Sequence, residues 1–220
     1  MRWLFLLVSL SGCIRAGFDS AATAVVPDQD ADAATPGGDT APVDFEAGLD
    51  LAARLDVVFP DIGGPMHLVF ATSTTHTGKI GGLAQADAIC AARAKAALPG
   101  TFKALMSDSQ TDANARLSIT HPVYNTAGQL VANGPADLWD GDVKHTIAYD
   151  ENSAPVTSVF RVWCGTRDSG QRYSKDLCQD WSSEAKADWG EIGTLTSKTL
   201  WIDDTAVTCD KLARIYCISQ

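Results

Sequence analysis

Residues 65–220 read as a domain of the α+β class. Three observations lead there: a helical repeat close to its start, short apolar runs of strand length before that repeat and at the chain end, and a polar, turn-rich stretch from 133 to 155. A helix comes early, strands late, and the middle is large and irregular. A domain of about 155 residues is long enough to bury a core of its own.

The elements follow in order. His67 to Thr72 (HLVFAT) is a first strand, apolar at Leu68, Val69 and Phe70. A turn rich in glycine (Gly78, Gly81, Gly82) leads into a helix over Leu83–Ala97, where Leu83, Ala86, Ile89, Cys90, Arg93 and Ala97 recur at helical spacing; Pro99-Gly100 stops it. Thr101 to Met106 is a second strand, and Thr111-Asp112 is placed to cap a short helix reaching Leu117. Val123 to Ala132 gives two short strands around Thr126-Ala127-Gly128. The stretch 133–155 is a long loop region packed by Leu138, Trp139 and Ile147. Val159 to Cys164 reads as a strand alternating outward and inward, and Thr199–Ile202 and Ala213–Ser219 close the sheet.

Ahead of this domain lie two segments of different character. Residues 1–12 have a basic start (Arg2), the apolar run Trp3–Leu10 and a small-residue exit, which is the pattern of a secretory signal too short to span a bilayer. Leu10-Ser11-Gly12-Cys13 resembles the bacterial lipobox, in which the chain is cut before the cysteine and the cysteine is acylated. The resemblance implies a lipoprotein anchored to the membrane through Cys13, each buried methylene adding roughly 0.8 kcal/mol. Ile14 stands where an Asp would resemble an inner-membrane retention signal, so the expected address is the outer membrane of the cell envelope. Residues 13–64 then form an acidic, Ala/Asp/Pro-rich tether. From Ala16 to Gly64 ten acids face a single base, Arg54, and such a stretch has little to bury. Within it, Phe45–Phe59 carries enough Leu and Val for a short docked helix.

Charge narrows the partners. The chain carries a net charge of −10, and the part after Gly64 holds 17 acids against 14 bases. Neither part supplies the basic field that nucleic acid or another polyanion demands, and Arg161, Arg167, Arg172 and Lys175 read as a solvated loop.

Several separated blocks carry a resemblance to a known family. Gly81-Gly82-Leu83-Ala84-Gln85-Ala86-Asp87-Ala88-Ile89-Cys90, then Leu98-Pro99-Gly100-Thr101-Phe102-Lys103-Ala104 and Ser107, resemble the first third of endostatin, the C-terminal domain of certain collagens. Val162-Trp163-Cys164-Gly165-Thr166, Cys178-Gln179-Asp180-Trp181, Cys209 and Tyr216-Cys217 agree in order, so the resemblance covers nearly all of Leu68–Gln220. Val69-Phe70-Ala71-Thr72-Ser73 is similar to the opening strand of an endostatin-like domain found in bacterial lipoproteins. The resemblance implies a C-type-lectin-like fold: an early helix pair, a twisted antiparallel sheet, long ordered loops and two disulfides. Five cysteines with one left over permit 15 pairings by count alone. The resemblance implies Cys90 with Cys217 and, nested inside, Cys178 with Cys209. Cys164 is then unpaired, at a position where endostatin has a histidine, and the expectation for it is a buried small hydrophobe.

No catalytic or cofactor motif accompanies these blocks: Gly-x-Ser-x-Gly, His-Glu-x-x-His, the phosphate-cradling Gly-x-x-x-x-Gly-Lys and Cys-x-x-Cys are all missing, and the four histidines are scattered. The expectation is a binding protein without a cofactor. Its contact residues are expected among Trp139, Trp189 and His76, which lie in loop-like sequence, whereas Trp163, Trp181 and Trp201 sit in the shared blocks and are expected in the core. Asp140, Asp142, Asp150 and Glu151 make the middle loop rich in the oxygen ligands that calcium takes, though Trp201-Ile202-Asp203-Asp204 is offset by one from the calcium strand of C-type lectins. The zinc site of endostatin needs an N-terminal histidine cluster that has no match before Leu68. The function expected is recognition of a protein or a glycan at the envelope. A hydrolase of envelope or extracellular polymers and a purely structural envelope lipoprotein are the competing classes.

Overall fold

A computed structural model describes residues 64–94 and 98–220. The signal and lipobox residues including Cys13, the acidic stretch up to residue 63 and the end of the expected first helix at Ala97 lie outside the described residues.

The order of elements is β1 (His67–Ala71), α1 (Gly82–Ala94), β2 (Phe102–Ala104), α2 (Ala113–Arg116), β3 (Val123–Asn125), β4 (Leu130–Ala132), α3 (Pro135–Leu138), β5 (Arg161–Trp163), β6 (Trp189–Thr194), β7 (Thr205–Thr208) and β8 (Arg214–Ser219). One sheet runs β4-β3-β1-β8-β5-β6-β7, with β2 also paired to β8. β8 is its spine. Val69, Phe70 and Ala71 pair antiparallel with Ile218, Cys217 and Tyr216 on one edge. On the other edge β2 and β5 lie end to end, β2 antiparallel and β5 parallel. The β1–β3 pair is parallel as well. The sheet is therefore mixed, which corrects the antiparallel sheet expected from the sequence.

Each central strand is apolar on both faces because the sheet separates two cores. Leu68, Phe70, Trp163, Ile215 and Cys217 face one side, where Ala86, Cys90 and Ala94 of α1 cover them. Val69, Ala71, Val162, Cys164, Tyr216 and Ile218 face the other, where Leu138 of α3 and the loop residues Val143, Ile147, Leu195, Trp201 and Ile202 do the covering. This explains the continuous burial of HLVFA in β1 and of RIYCIS in β8. It also corrects the alternation expected for Val159–Cys164: Val162, Trp163 and Cys164 are all fully buried.

Of the expected early helix pair, α1 is a full helix of 13 residues and α2 a single turn of four. Asp112 stands at the cap of α2 but makes no capping bond. Its carboxylate instead accepts from the backbone N–H of Arg172 at 3.0 Å, and Ser107 Oγ takes the Ala113 N–H at 2.9 Å. Thr199–Ile202 is not a strand. Leu200 within it and Asp204 beyond it bond to β6, through Thr194 N–H to the Leu200 carbonyl at 2.9 Å and Asp204 N–H to the Ile192 carbonyl at 3.0 Å. Between them Trp201 rises over Gly193, where any Cβ would collide with the Trp201 carbonyl. The true strands, β6 and β7, lie on either side of that excursion.

Cys90–Cys217 joins α1 to β8 with Cα atoms 5.3 Å apart, and Cys178–Cys209 spans 5.7 Å. The second bridge anchors an unusual segment. Cys178, Gln179, Asp180 and Trp181 have φ of 48°, 53°, 53° and 63°, one turn of left-handed helix, at a cost of roughly 1–2 kcal/mol per residue. The disulfide holds its first residue. Buried Trp181 holds its last, donating from Nε1 to the Ser107 carbonyl at 2.7 Å while its own carbonyl accepts from Gly81 N–H at 2.7 Å. The residue before the turn, Leu177, bridges to Gly190, so the turn fixes the edge of β6.

Candidate functional site

Strand β6 reads WGEIGT; Trp189 at its start is exposed and Gly190 to Gly193 are all buried. Gly190 and Ile192 point toward the α1 side, with Gly190 so close to Trp163 that a Cβ would stand 2.8 Å from the indole. Trp189 and Glu191 therefore share the opposite face. Trp189 is 49% exposed, whereas Glu191 is only 5% exposed.

Backbone bonds gather charge around Glu191. Its N–H donates to the Asp176 carbonyl at 2.7 Å, and its carbonyl accepts from Cys164 and Gly165 at 3.2 and 3.3 Å. Tyr173 N–H donates to the Gly165 carbonyl at 3.1 Å, and the Asp204 bond to Ile192 brings Asp203 and Asp204 alongside. Asp203 accepts from the Tyr173 hydroxyl, and the Arg167 guanidinium lies 4.6 Å over the Tyr173 ring. Among the described residues the Glu191 side chain accepts no hydrogen bond and forms no ion pair. Burial, followed by the negative charges of Asp203, Asp176 and Asp204, pushes its carboxyl up to about 7, with Arg167 opposing. The same causes, burial first and then the bond to Asp203, raise the Tyr173 phenol. Arg167 also lines a depression of about 290 Å³, together with Asp112, Gln171, Arg172 and Ser174. In it Arg172 Nη1 meets Asp112 Oδ1 at 2.8 Å, and hydrogen bonds from Arg172 hold the Asp112 carboxyl below its usual range.

The residues anticipated from sequence scatter. Trp189 belongs to this face. Trp139 is half-buried, stacked on Trp201 with ring centroids 6.3 Å apart and closed in by Gly170. His76 lies in a backbone bridge to Ala213, its carbonyl accepts from Trp163 Nε1 at 2.9 Å, and burial together with Arg93 lowers the pKa of its ring. The acidic loop residues are not brought together. Glu151 is buried and accepts from the Ser73 N–H and hydroxyl, with Arg93 at 3.7 Å. Asp150 closes its own turn by accepting from Asn152 and Ala154, and Asp140 accepts from Asp142 N–H. Among the described residues no three His, Cys, Asp or Glu side chains assemble as a metal site. Cys164 is fully buried, its thiol donates to the Ile202 carbonyl at 2.8 Å, and burial raises its pKa strongly. Glu191, Tyr173 and Asp203 had no motif to announce them. The one available signal was a lone acid between apolar neighbours in Gly-Glu-Ile-Gly.

The family profile described as Collagenase NC10 and Endostatin matches residues 66–220. The chain belongs to the endostatin family. The human collagen alpha-1(XVIII) chain is 25% identical over 176 residues, a match covering 70% of this chain and 10% of the collagen. The chain thus spans about a tenth of the length of the curated relative it matches. The mixed sheet, single full helix and two disulfides described above are those of this endostatin domain. Among the described residues no helix is long and apolar enough to cross a membrane.

Proposed function

We propose that this chain is a lipoprotein of the cell envelope, anchored at Cys13, whose acidic stretch carries an endostatin domain of C-type-lectin-like type outward to bind a protein or glycan. The observation that carries the binding role is the face of β6, where a 49% exposed Trp189 stands beside the buried Glu191. Exposed aromatics next to a polar group without a partner are the ordinary makings of a recognition surface, combining apolar contact area with a directional group. Binding is favoured over hydrolysis on two grounds. The Cys164 thiol is shut in the core against a carbonyl, and Asp112, the acid of the neighbouring depression, is tied up by Arg172.

The test is a screen of the full chain against glycans and envelope proteins, with and without calcium. A ligand lost on Trp189→Ala supports the reading, and silence in every arm contradicts it. Membrane fractionation of Cys13→Ala tests the anchor: release into the soluble fraction is expected, and retention with the membrane argues against lipidation.

A further inference from the structure

The sheet ends on β4 at one side and on β7 at the other, and its two edges are finished differently. Along β4 the chain covers its own edge: the Val131 carbonyl accepts from Lys144 N–H at 2.9 Å and the Leu130 carbonyl from His145 Nδ1 at 2.8 Å. β7 has no such cover. It pairs with β6 alone, Thr205, Ala206, Val207 and Thr208 standing opposite Ile192, Glu191, Gly190 and Trp189. The Glu191 N–H turns to the Asp176 carbonyl and its own carbonyl to Cys164 and Gly165, on the side away from β7. Alternate residues of a strand turn their backbone groups to opposite edges, so Gly190 and Ile192 bond to Val207 and Thr205, and Ala206 and Thr208 turn theirs outward. The Thr208 carbonyl accepts from Lys211 N–H at 3.0 Å. Among the described residues the N–H and carbonyl of Ala206 and the N–H of Thr208 have no partner, and both residues are partly open to solvent. Within Thr205–Thr208 no lysine, proline or bulge guards this edge.

We propose that β7 takes an extended segment of a protein partner as an added strand, paired through Ala206 and Thr208, with a basic residue at the end that reaches Asp204. This deepens the binding role proposed above and rests on it. The backbone chooses a peptide, because outward N–H and carbonyl groups on alternate residues match the alternate residues of another strand, and a glycan has no such row. Charge chooses the basic end. Asp204, just ahead of β7, is exposed and forms no ion pair among the described residues, whereas Asp210 beyond the strand already has Lys211 at 3.6 Å. A second copy of this chain fits less well, since self-pairing centred on Val207 sets Asp204 of one copy opposite Asp210 of the other. Residues directly opposite one another share a face, so Ala206 and Thr208 lie on the face of Glu191 and Trp189. Side chains of the added strand opposite them emerge on that same face, with only Thr208 between them and the exposed indole.

The test titrates the ¹⁵N-labelled full chain with a capped Lys-Thr-Val-Thr-Val-Thr-Lys peptide, N-methylated on alternate residues so that only one of its edges can pair. Amide exchange at Ala206 and Thr208 is followed by NMR. The peptide is expected to slow both amides about tenfold while the Val207 amide, already bonded within the sheet, changes little. A twin N-methylated at every residue keeps the side chains and charge but is expected to have no effect. A twin with Glu in place of both Lys, and the exposed change Asp204→Asn against the original peptide, are each expected to weaken binding several-fold. Ala206→Pro removes an outward N–H that the fold does not use, a place where an edge strand tolerates proline, and is expected to abolish binding with thermal unfolding unchanged. Should that variant not fold, the fully methylated twin makes the same test on the natural chain. No slowing with the first peptide, equal slowing by the fully methylated twin, or tighter binding of the Glu twin would overturn the assignment. So would amides at Ala206 and Thr208 already protected without peptide, which would give the edge to the chain itself or, where protection rises with protein concentration, to a second copy. A screened ligand that requires Trp189 yet binds Ala206→Pro unchanged would remove the strand pairing while leaving the binding role in place.

Discussion

The two cores on either side of the sheet are built on different terms. The α1 side contains Cys90, Cys217, Cys178 and Cys209, so both disulfides close over one face. The loop side contains no disulfide. It holds the free Cys164 and two buried polar atoms without a partner among the described residues, Trp201 Nε1 and Tyr216 Oη. Covalent closure thus guards the helical face, and the face that bears Trp189 and Glu191 is held by packing and hydrogen bonds. The contrast teaches that the two kinds of imperfection are kept apart: the strained left-handed turn lies on the stapled side, and the unpartnered buried polar atoms lie on the side held by packing.

The sharpest way to break this comparison is to open the staples. Replacing Cys90 and Cys217 together by Ala should cost about 5 kcal/mol, and removing the Cys178–Cys209 bridge about 4, since they close separations of 127 and 31 residues. Loss of the second should also free the left-handed turn, read as a near-UV signal change at Trp181. Equal stability with and without either bridge would end the distinction between the two faces.

Next in size is pH. The Glu191 carboxyl rises from an ordinary 4.5 to about 7 in the folded state, so between those values the fold holds a proton that the unfolded chain releases. That contribution is complete below pH 4.5 and is lost as pH climbs through 7, with an upper bound of about 3.4 kcal/mol at 1.36 kcal/mol per unit that solvent screening reduces. Glu191→Gln should flatten this segment of the unfolding profile. A profile equally steep in wild type and variant would show another group at work.

Smaller effects probe the loop-side core directly. Cys164→Ala should cost about 1–2 kcal/mol for the vacated volume, and a thiol reagent should reach Cys164 only as the protein unfolds. Rapid labelling of the folded chain would contradict its burial. Tyr216→Phe should be neutral or stabilising by up to about 1 kcal/mol, because it removes a buried hydroxyl with no bond to lose. A clear destabilisation would reveal a partner for that hydroxyl.

How much of this was legible in the sequence follows the same division. β1, α1 and β8 are readable because each must present apolar residues continuously or at helical spacing to a core. β6 and β7 are not. Gly190 and Gly193 are needed for close approach to Trp163 and Trp201, and glycine dilutes the strand signal. Thr199–Ile202 has the apolar run of a strand, but its Trp201 and Ile202 fill the loop-side core instead of extending the ladder. The parallel pairs were hidden because parallel registry depends on long connections with no local pattern. At the site, Trp189 was readable as an aromatic in turn-like sequence. Glu191 was not, since its surroundings come from residues 12 to 18 positions away in Tyr173, Asp176, Asp203 and Asp204. The acidic loop misled for a related reason: carboxylates dense in sequence serve separate turns and the Ser73 bond.

The most direct measurement is the titration of the Glu191 side-chain carboxyl by ¹³C NMR in the full chain, assigned by its disappearance in Glu191→Gln. A midpoint near pH 7 is expected for an unpaired carboxyl in an acidic notch. A midpoint at or below 4.5 would mean that Glu191 is already solvated or paired, and the face of β6 would lose the group on which its recognition role rests.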